Sequence, residues 1–365
     1  MTLKLNDEER VARARADLRI GAPVALVSSA GGAIMLAAET LSAARLQDAR
    51  VLSADVDLAI SHRRAETLRA RAYDGDVARV AVPRDVGLNW ILATADPSLD
   101  LTHPLRGPYQ TRRDGSADLH RLAIALCKQA RLLPAALLVP VSLAQAHELA
   151  SGNGLSILDE MLVHRAADAA IKMHRVSGAR VPTRFTEAGR VHVFRPEDGG
   201  EEHYAVEVGA PDRDAPVLSR LHSACFTGDV VGSLKCDCGP QLAAAMDQIA
   251  DEGAGVLLYM NQEGRGIGLA NKMRAYALQD QGYDTVEANH RLGFEDDERD
   301  FRLGAEILKA LGFSSVRLMT NNPGKIAMME ASGVAVTERV PLKVGETAQN
   351  QAYLATKAAK SGHLL

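Results

Sequence analysis

Three of the four cysteines in this chain form a closely spaced cysteine trio, at Cys225, Cys236 and Cys238. Thiolate is a good zinc ligand, and zinc prefers four ligands arranged as a tetrahedron. Cys236 and Cys238 are two residues apart, so one tight turn can direct both sulfurs toward one ion, and Cys225 can supply a third from a neighbouring strand. Water is then the natural fourth ligand, as in catalytic zinc sites, where the bound water becomes a hydrolytic nucleophile.

Two interpretations of the cysteine trio remain open on spacing alone. Buried cysteines often act as small apolar side chains, and an isolated C-x-C pair can arise by chance. The surrounding residues favour the metal, because a core element rarely carries so many polar groups. The polar residues of this stretch are Arg220, His222, Ser223, Thr227, Asp229, Lys235, Asp237 and Gln241.

A second candidate site is the glycine-rich segment 261–268 (NQEGRGIG), which follows a predicted buried strand and precedes a helix. A turn of this kind brings backbone N–H groups close to an anion, and Glu263 and Arg265 add a carboxylate and a cation. Lys325 precedes a helix predicted at 326–332, where it would contact a phosphate. A solvated lysine is the usual alternative.

Hydrophobic patterns place these residues on the loops of a mixed α/β chain. In the N-terminal half they predict helices at 7–20, 57–72 and 118–130 and strands at 24–27, 78–82 and 135–139. In the C-terminal half they predict strands within 173–215, at 255–259 and at 315–320, and helices at 241–251, up to 278, at 301–311 and at 326–332. The polar stretch 284–300 is predicted as a long functional loop. We expect two domains of the α/β (α+β) class, 1–172 and 173–365.

The composition narrows the classes of function. A length of 365 residues predicts about two domains, and 47% hydrophobic with 24% charged residues is typical of a soluble globular protein. A net charge of −4 and an aromatic content of 4% argue against a nucleic-acid partner. The chain lacks a signal-peptide pattern and an apolar run of ~20 residues, so we expect no membrane association. The few, clustered cysteines indicate the cytoplasm.

The C-terminal half resembles the GTP cyclohydrolase II family, over about residues 180–365. The resemblance rests on several motifs in the family's order: RLHSACFTGD (220–229), CDCG (236–239), QEGRGIG (262–268), YALQDQGYDTVEAN (276–289), DERDF (297–301) and TNNP (320–323). The family converts GTP to formate, pyrophosphate and a diaminopyrimidine ribosylamino phosphate, the first step of riboflavin biosynthesis. The resemblance thus implies a zinc-dependent hydrolase with a mixed-sheet domain, acting as a cytoplasmic homodimer.

The resemblance also implies the residues of the site. The cysteine trio would hold one zinc ion per chain, and Mg²⁺ would accompany the GTP phosphates. Asp297 would accept a proton, Arg299 would attack the α-phosphate, and Tyr276 would assist at the imidazole ring. The GTP pocket would be lined by Arg220, Leu221, His222, Ser223, Ala224, Gln241, Glu263, Gly264, Arg265, Thr285, Thr320 and Lys325.

Physical chemistry favours a different role for Arg299. Guanidinium has a pKa above ~12 and is a poor nucleophile, and the neighbouring Asp297 keeps it charged. We therefore expect Arg299 to act as a clamp on the phosphate in the transition state. Arg220, Lys325 and Mg²⁺ would supply further positive charge for the departure of pyrophosphate.

The N-terminal half resembles dihydroxybutanone phosphate synthase, a family that is often fused ahead of GTP cyclohydrolase II. The resemblance lies in ADLRIGAPVALV (16–27), AAE (37–39) and LTHP (101–104). That family follows its first strand with an acidic loop that binds magnesium and substrate, whereas residues 28–33 (SSAGGA) offer no carboxylate. Its later Gly-His-Thr-Glu segment appears here as DLHR (118–121). We expect a retained fold without synthase activity.

Two alternative functions stay open. The family usually has a basic residue before the QEGR motif, where this chain has Asn261. That change, together with the altered N-terminal half, is compatible with a paralogue that makes a different product or serves another pathway, such as pyrimidine breakdown. The second alternative, which belongs to another class of function, is a nucleotide-binding regulator without turnover.

Overall fold

The computed structural model describes residues 3–168 and 172–347. Residues 1–2, 169–171 and 348–365, which the predicted domains include, lie outside the described residues. The described chain forms two compact units: unit 1 contains 3–168 with 270–297, and unit 2 contains 172–269 with 298–347. Segment 270–297 therefore packs with the N-terminal part of the chain. The division into functional domains at residue 172 stays a prediction.

The N-terminal part of unit 1 alternates short helices and strands. Its elements are α1 (Asp7–Arg19), β1 (Val24–Ser28), β2 (Gly31–Ala37), α2 (Ala43–Leu52), β3 (Asp57–Ser61), α3 (His62–Leu68), β4 (Val77–Ala81), α4 (Leu88–Ala95), α5 (Asp118–Gln129), β5 (Ala135–Val141), α6 (Leu143–Asn153), β6 (Ser156–Asp159) and α7 (Glu160–Asp168). The strands form one sheet in the order β4-β3-β5-β2-β1-β6, antiparallel except for the β1–β6 pair.

Apolar runs in the strands explain the core of unit 1. Leu26 of β1, Met35 of β2 and Leu138 of β5 are buried in one cluster with Leu18 of α1 and Leu126 of α5. Continuous apolar runs of this kind are typical of strands covered by other elements. The sheet and its covering helices thus share one apolar core.

The rest of the chain contains the elements of unit 2 and two helices of unit 1. They are β7 (Met173–Arg180), β8 (Gly189–Pro196), β9 (His203–Val208), β10 (Val217–Ser223), α8 (Cys238–Glu252), β11 (Gly255–Met260), α9 (Leu269–Gln279), α10 (Thr285–Leu292), α11 (Arg302–Ala310), β12 (Ser315–Met319), α12 (Pro323–Ala331) and β13 (Ala335–Val340). Helices α9, from residue 270, and α10 belong to unit 1.

The sheet of unit 2 determines where its polar loops meet. Its strand order is β13-β12-β10-β11-β9-β8-β7, and β10 is parallel to both β11 and β12. Parallel strands end at the same edge of a sheet, and ligands bind beyond those carboxyl ends. The loops that follow β10, β11 and β12 carry Cys225, Glu263 and Thr320. The sheet therefore gathers three separate motifs at one edge.

The α/β architecture with two sheets is confirmed, and two local predictions were wrong. Residues 57–72 are not one helix, because β3 occupies 57–61 and α3 begins only at His62. The polar stretch 284–300 is not all loop, since it contains α10, whose N-cap Asp284 forms a capping box with Glu287. Over the described residues, none of the helices is long and apolar enough to cross a membrane.

Candidate metal centre and nucleotide site

The three sulfurs of the cysteine trio converge. The Sγ atoms of Cys225, Cys236 and Cys238 lie within 4.8 Å of one another, and those of Cys225 and Cys236 are 3.7 Å apart, too far for a disulfide. Cys225 follows β10, residues 226–230 form a short π-helical turn, and Cys238 opens α8. No other His, Cys, Asp or Glu of residues 3–168 and 172–347 joins this group. The predicted convergence is confirmed.

Two glycines allow the sulfurs to approach. A Cβ atom on Gly228 would lie 2.8 Å from the Cys236 Sγ and 3.1 Å from the Cys225 Sγ. A Cβ on Gly239 would lie 2.4 Å from the carbonyl oxygen of Gly228. The backbone N–H of Gly228 also donates to the Cys225 Sγ, at 3.3 Å. The turn thus wraps closely around the sulfurs, and a side chain at either glycine would displace it.

The crowding of the thiols suits them to a metal ion. Hydrogen bonding with Cys225 raises the pKa of Cys236, and hydrogen bonding with Cys225 and Cys236, together with burial, raises the pKa of Cys238. Three neighbouring thiolates repel one another unless a cation lies among them. Three sulfur donors, with no fourth His, Cys, Asp or Glu beside them in the described part of the chain, fit a soft divalent ion such as zinc with one open position.

Asp229 connects the cysteine turn to the sheet. Its carboxylate accepts hydrogen bonds from the backbone N–H of Cys225 (3.0 Å) and from the Tyr259 hydroxyl (2.9 Å), and it lies 3.0 Å from Nε2 of His222. The rings of His222 and Tyr259 stack at 5.6 Å. Asp229 and His222 are nearly inaccessible, with side chains only 3% exposed. A buried carboxylate with these partners is well satisfied and rigid.

The protonation of this network follows from its burial. Burial lowers the pKa of His222, although the charge of Asp229 opposes the shift. The imidazole is therefore neutral at neutral pH, with the proton on Nε2 facing the carboxylate. Burial and the Asp229 charge both raise the pKa of Tyr259, so its hydroxyl keeps its proton. Both groups can therefore donate a hydrogen bond to Asp229.

Three cations gather beside the end of β10. Arg220 donates to the carbonyl of Met319 (2.9 Å) and to Oε1 of Gln241 (2.5 Å). Burial lowers its pKa to about 10, with the charge of Arg299 as a further cause. Lys325 donates to the carbonyl of Leu221 at 2.9 Å. Grouped positive charges favour an anionic ligand, although the charge of Asp237 also acts on Arg220.

Phe301 supports two of these cations. The guanidinium carbon of Arg299 lies 4.8 Å, and the ammonium nitrogen of Lys325 5.1 Å, from its ring centroid. Arg299 also donates to the Ser223 hydroxyl at 3.3 Å. A ring face attracts cations without neutralising them. Phe301 therefore helps to position both cations beside the end of β10.

The glycine turn after β11 is fixed to two other loops. Glu263 accepts from the backbone N–H of Phe226 at 2.6 Å, and the carbonyl of Arg265 accepts from the N–H of Glu298 at 2.9 Å. Gly264, Arg265 and Gly266 all have positive φ, of 64°, 60° and 96°. Such a conformation is uncommon for arginine and costs free energy. The turn is thus held in a strained shape between the cysteine turn and Arg299.

The predicted pocket residues occupy different places in the structure. Leu221 is buried in the core of unit 2, so only its backbone faces Lys325. Ala224 donates its N–H to the Met260 carbonyl, and Thr320 accepts from the N–H of Asn322. Unit 2 brings together the trio and Arg220, Leu221, His222, Ser223, Ala224, Gln241, Glu263, Gly264, Arg265, Arg299, Thr320 and Lys325. Tyr276, Thr285 and Asp297 lie on segment 270–297 of unit 1.

Sequence reasoning assigned no role to three residues of this region. Asp229 belongs to the polar stretch around the cysteine trio, but residue spacing does not reveal its partners His222 and Tyr259. Tyr259 ends β11 and was counted only as part of a buried strand. Phe301 was predicted only as the first residue of the helix at 301–311. Asn261, the departure from the family, donates its side-chain amide to the Glu202 carbonyl at 2.5 Å, so it has a structural partner.

Comparisons with known proteins agree with these observations. The family described as GTP cyclohydrolase II matches residues 174–341. A GTP cyclohydrolase-2 of Azospirillum brasilense is 41% identical over 376 residues, which cover 100% of this chain and 92% of that protein. A GTP cyclohydrolase-2 of Azotobacter vinelandii is 56% identical over 190 residues, covering 52% of this chain and 91% of that protein.

The similarity to solved structures is lower than the similarity to these two relatives. A two-domain 3,4-dihydroxy-2-butanone 4-phosphate synthase from A. baumannii aligns with a TM-score of 0.34 and 16% identity, covering 92% of this chain and 99% of that chain.

Proposed function

This chain belongs to the GTP cyclohydrolase II family, and we propose that it hydrolyses GTP in the manner of that family. The reaction opens the imidazole ring, releases formate and pyrophosphate, and yields a diaminopyrimidine ribosylamino phosphate for riboflavin biosynthesis. The observation that carries this proposal is the convergence of three sulfurs within 4.8 Å, without a fourth protein donor among the described residues.

The proposed metal is one zinc ion, held by Cys225, Cys236 and Cys238. When bound, zinc supplies Lewis-acid activation of the water that attacks the ring. The protein keeps its ligands in place through Gly228, which lets the turn approach the sulfurs, and through Asp229, which fixes the backbone of Cys225. A site that holds only three ligands leaves the fourth position to water or substrate.

The triphosphate of GTP is the proposed partner of Arg220, Arg299 and Lys325. Each cation is held by a neighbouring group. Arg220 donates to the Met319 carbonyl, and Arg299 lies over the Phe301 ring. Lys325 both donates to a carbonyl, that of Leu221, and lies over the Phe301 ring. Positioned positive charge stabilises the charge that develops as pyrophosphate leaves. We propose that Mg²⁺ accompanies the phosphates and that Arg299 acts as an electrostatic clamp, because a charged guanidinium is a poor nucleophile.

Three proposed residues of the reaction lie on segment 270–297. Tyr276 would transfer a proton at the imidazole ring, and Asp297 would accept one during hydrolysis. Thr285, at the first turn of α10, would contact GTP. Its hydroxyl accepts from Nε2 of Gln279 at 3.3 Å, which fixes its orientation.

The test is product analysis. Purified protein is incubated with GTP, Zn²⁺ and Mg²⁺, and formate, pyrophosphate and the nucleotide product are quantified by NMR and mass spectrometry. We expect formate and pyrophosphate in equal amounts. The absence of both overturns the proposal, whereas a product that keeps its formyl group or its triphosphate supports the paralogue with a different product.

The regulator hypothesis has a separate test. It predicts GTP binding that persists in Cys236→Ser with no turnover in the wild type. We expect turnover in the wild type and its loss in Cys236→Ser. The cytoplasmic homodimer also remains a proposal, and sedimentation analysis of the purified chain measures its oligomeric state.

A further inference from the structure

We propose that the N-terminal part of unit 1 has a function in the cyclohydrolase reaction: it is the scaffold that orders segment 270–297. This inference rests on the proposed function, since that segment carries Tyr276, Thr285 and Asp297. The scaffold is residues 3–168, and its contacts with the segment occur at both ends of the α9–α10 pair. Each end combines charged and buried contacts.

At the first end, Arg274 of α9 is held by two carboxylates of the scaffold. Its Nε donates to Asp96 at 3.0 Å and its Nη2 to Glu39 at 3.1 Å. The third nitrogen, Nη1, donates to Asn271 at 2.7 Å. All the nitrogens of the guanidinium thus have partners, and the ion pairs are largely shielded, with side chains 17–22% exposed. A shielded pair of this kind fixes orientation, and losing one partner is costly.

The carboxylate of Glu39 is itself fixed by the scaffold. Its second oxygen accepts from the backbone N–H of Leu133 at 2.8 Å. Asn271, which is completely buried, donates its side-chain amide to the carbonyl of Arg131 at 3.1 Å. Arg131 has a left-handed φ of 59°, so the loop before β5 adopts a strained turn at this contact. The two scaffold groups that bind α9 here, the Glu39 carboxylate and the Arg131 carbonyl, are therefore held in fixed positions.

At the second end, the chain leaving α10 packs tightly on α3 and its neighbours. Gly293 has a φ of 93°, and a Cβ atom there would lie 2.7 Å from the Ser61 hydroxyl oxygen. Phe294, which is buried, lies with its ring centroid 5.8 Å from the Lys128 ammonium nitrogen. Glu295 then pairs with Arg63 at 3.0 Å.

Between the two ends, apolar side chains of the segment are buried. They are Ala275, Leu278, Val286, Ala288 and Leu292. Tyr276 and Thr285 therefore lie on helices that are fixed by charge, by close packing and by burial. The scaffold makes these contacts, whereas its first turn, at residues 28–31, has no carboxylate for magnesium. The contacts thus give the N-terminal part a function that does not depend on synthase chemistry.

The test removes the charge of Arg274 in the full-length chain. We expect Arg274→Gln to speed amide hydrogen exchange in peptides from 270–297 about tenfold or more, because the ordered segment opens more often. We expect kcat for GTP to fall about tenfold or more, because displaced catalytic groups lose their geometry. Zinc content stays at the wild-type value, and Arg274→Lys, which keeps the charge, recovers part of both losses.

The matched control is Arg79→Gln in the same unit. Arg79 is buried and pairs with Asp74 at 2.8 Å, and it donates to the carbonyl of Asp114; both partners lie in the scaffold. We expect it to leave kcat and the exchange of 270–297 unchanged. If Arg274→Gln unfolds unit 1, Glu295→Gln at the more exposed end is measured instead. We then expect smaller changes in the same directions: faster exchange in 270–297 and a lower kcat.

Two results overturn the proposal: exchange in 270–297 that matches the wild type, or faster exchange there with an unchanged kcat. The exchange measurement does not depend on activity. If the wild type fails to turn over GTP, the proposed function fails, but the ordering of the segment by the scaffold is still tested.

Discussion

At the scale of single residues, the site depends on the carboxylate of Asp229, which binds the backbone of Cys225. Asp229 joins the backbone of Cys225, the Tyr259 hydroxyl and the His222 ring. A buried anion with several donors holds them in one arrangement, and a neutral replacement leaves at least one donor unmatched. Asp229 therefore helps to hold Cys225, which lies just beyond the end of β10.

We expect Asp229→Asn to weaken zinc binding by about tenfold or more, since an unmatched buried donor costs about 1–3 kcal/mol. Competition with a chelator of known affinity measures this. Asp212→Asn, at an exposed position of the same unit, is the control and should bind zinc like the wild type. Equal affinities in all three proteins would show that Asp229 does not support the site.

The sequence allowed the cysteine trio to be predicted because ligand spacing is local, and two cysteines in one turn need little tertiary information. The role of Asp229 was not predictable in the same way. Its partner Tyr259 is on another strand, β11, which pairs with β10 only in the folded sheet. The support of two cations by Phe301 was hidden for the same reason.

At the scale of elements, the glycine turn after β11 determines how two loops meet. Gly266 has a φ of 96°, and a Cβ there would lie 2.7 Å from the Glu298 carbonyl oxygen. Within the same turn, the carboxylate of Glu263 accepts a hydrogen bond from the backbone N–H of Phe226. It therefore couples the cysteine turn to the loop that carries Arg299.

Gly266→Ala tests this coupling against Gly232→Ala. Both glycines have positive φ, but a Cβ on Gly232 would meet nothing within 4 Å. Each alanine suffers the backbone strain of about 1 kcal/mol, and only Gly266→Ala adds a clash. We expect a lower melting temperature and a lower kcat for Gly266→Ala than for Gly232→Ala. Similar values for the two variants would show that the close approach to Glu298 is unimportant.

Most strands and helices of the site were predictable from apolar runs and glycine-proline boundaries, as at β11 and α12. The error at 57–72 arose because a five-residue buried strand runs directly into a helix capped by Ser61. The error at 284–300 arose because polar composition outweighed a local signal, the capping box of Asp284 and Glu287.

At the scale of the whole molecule, the first turn of the N-terminal sheet lacks the acidic residues that synthase activity would require. Strand β1 turns directly into β2, with Ser28 opposite Gly31, so the turn is short as well as uncharged. A magnesium site needs several oxygen ligands, and this turn has no carboxylate to offer.

We therefore predict that the full-length protein does not consume ribulose 5-phosphate in the presence of Mg²⁺. A coupled assay with an active synthase as positive control measures this. Turnover that disappears when EDTA is added would contradict the prediction and restore a catalytic role to the N-terminal part.

The measurement that tests the central claim most directly is the zinc content of three proteins: the wild type, Cys238→Ser and Cys127→Ala. Cys127 is the cysteine outside the trio, buried in the core of unit 1. We predict one zinc per chain, with GTP hydrolysis, in the wild type and in Cys127→Ala, and the loss of both in Cys238→Ser. Full zinc content or full activity in Cys238→Ser would contradict a metal centre built on the cysteine trio.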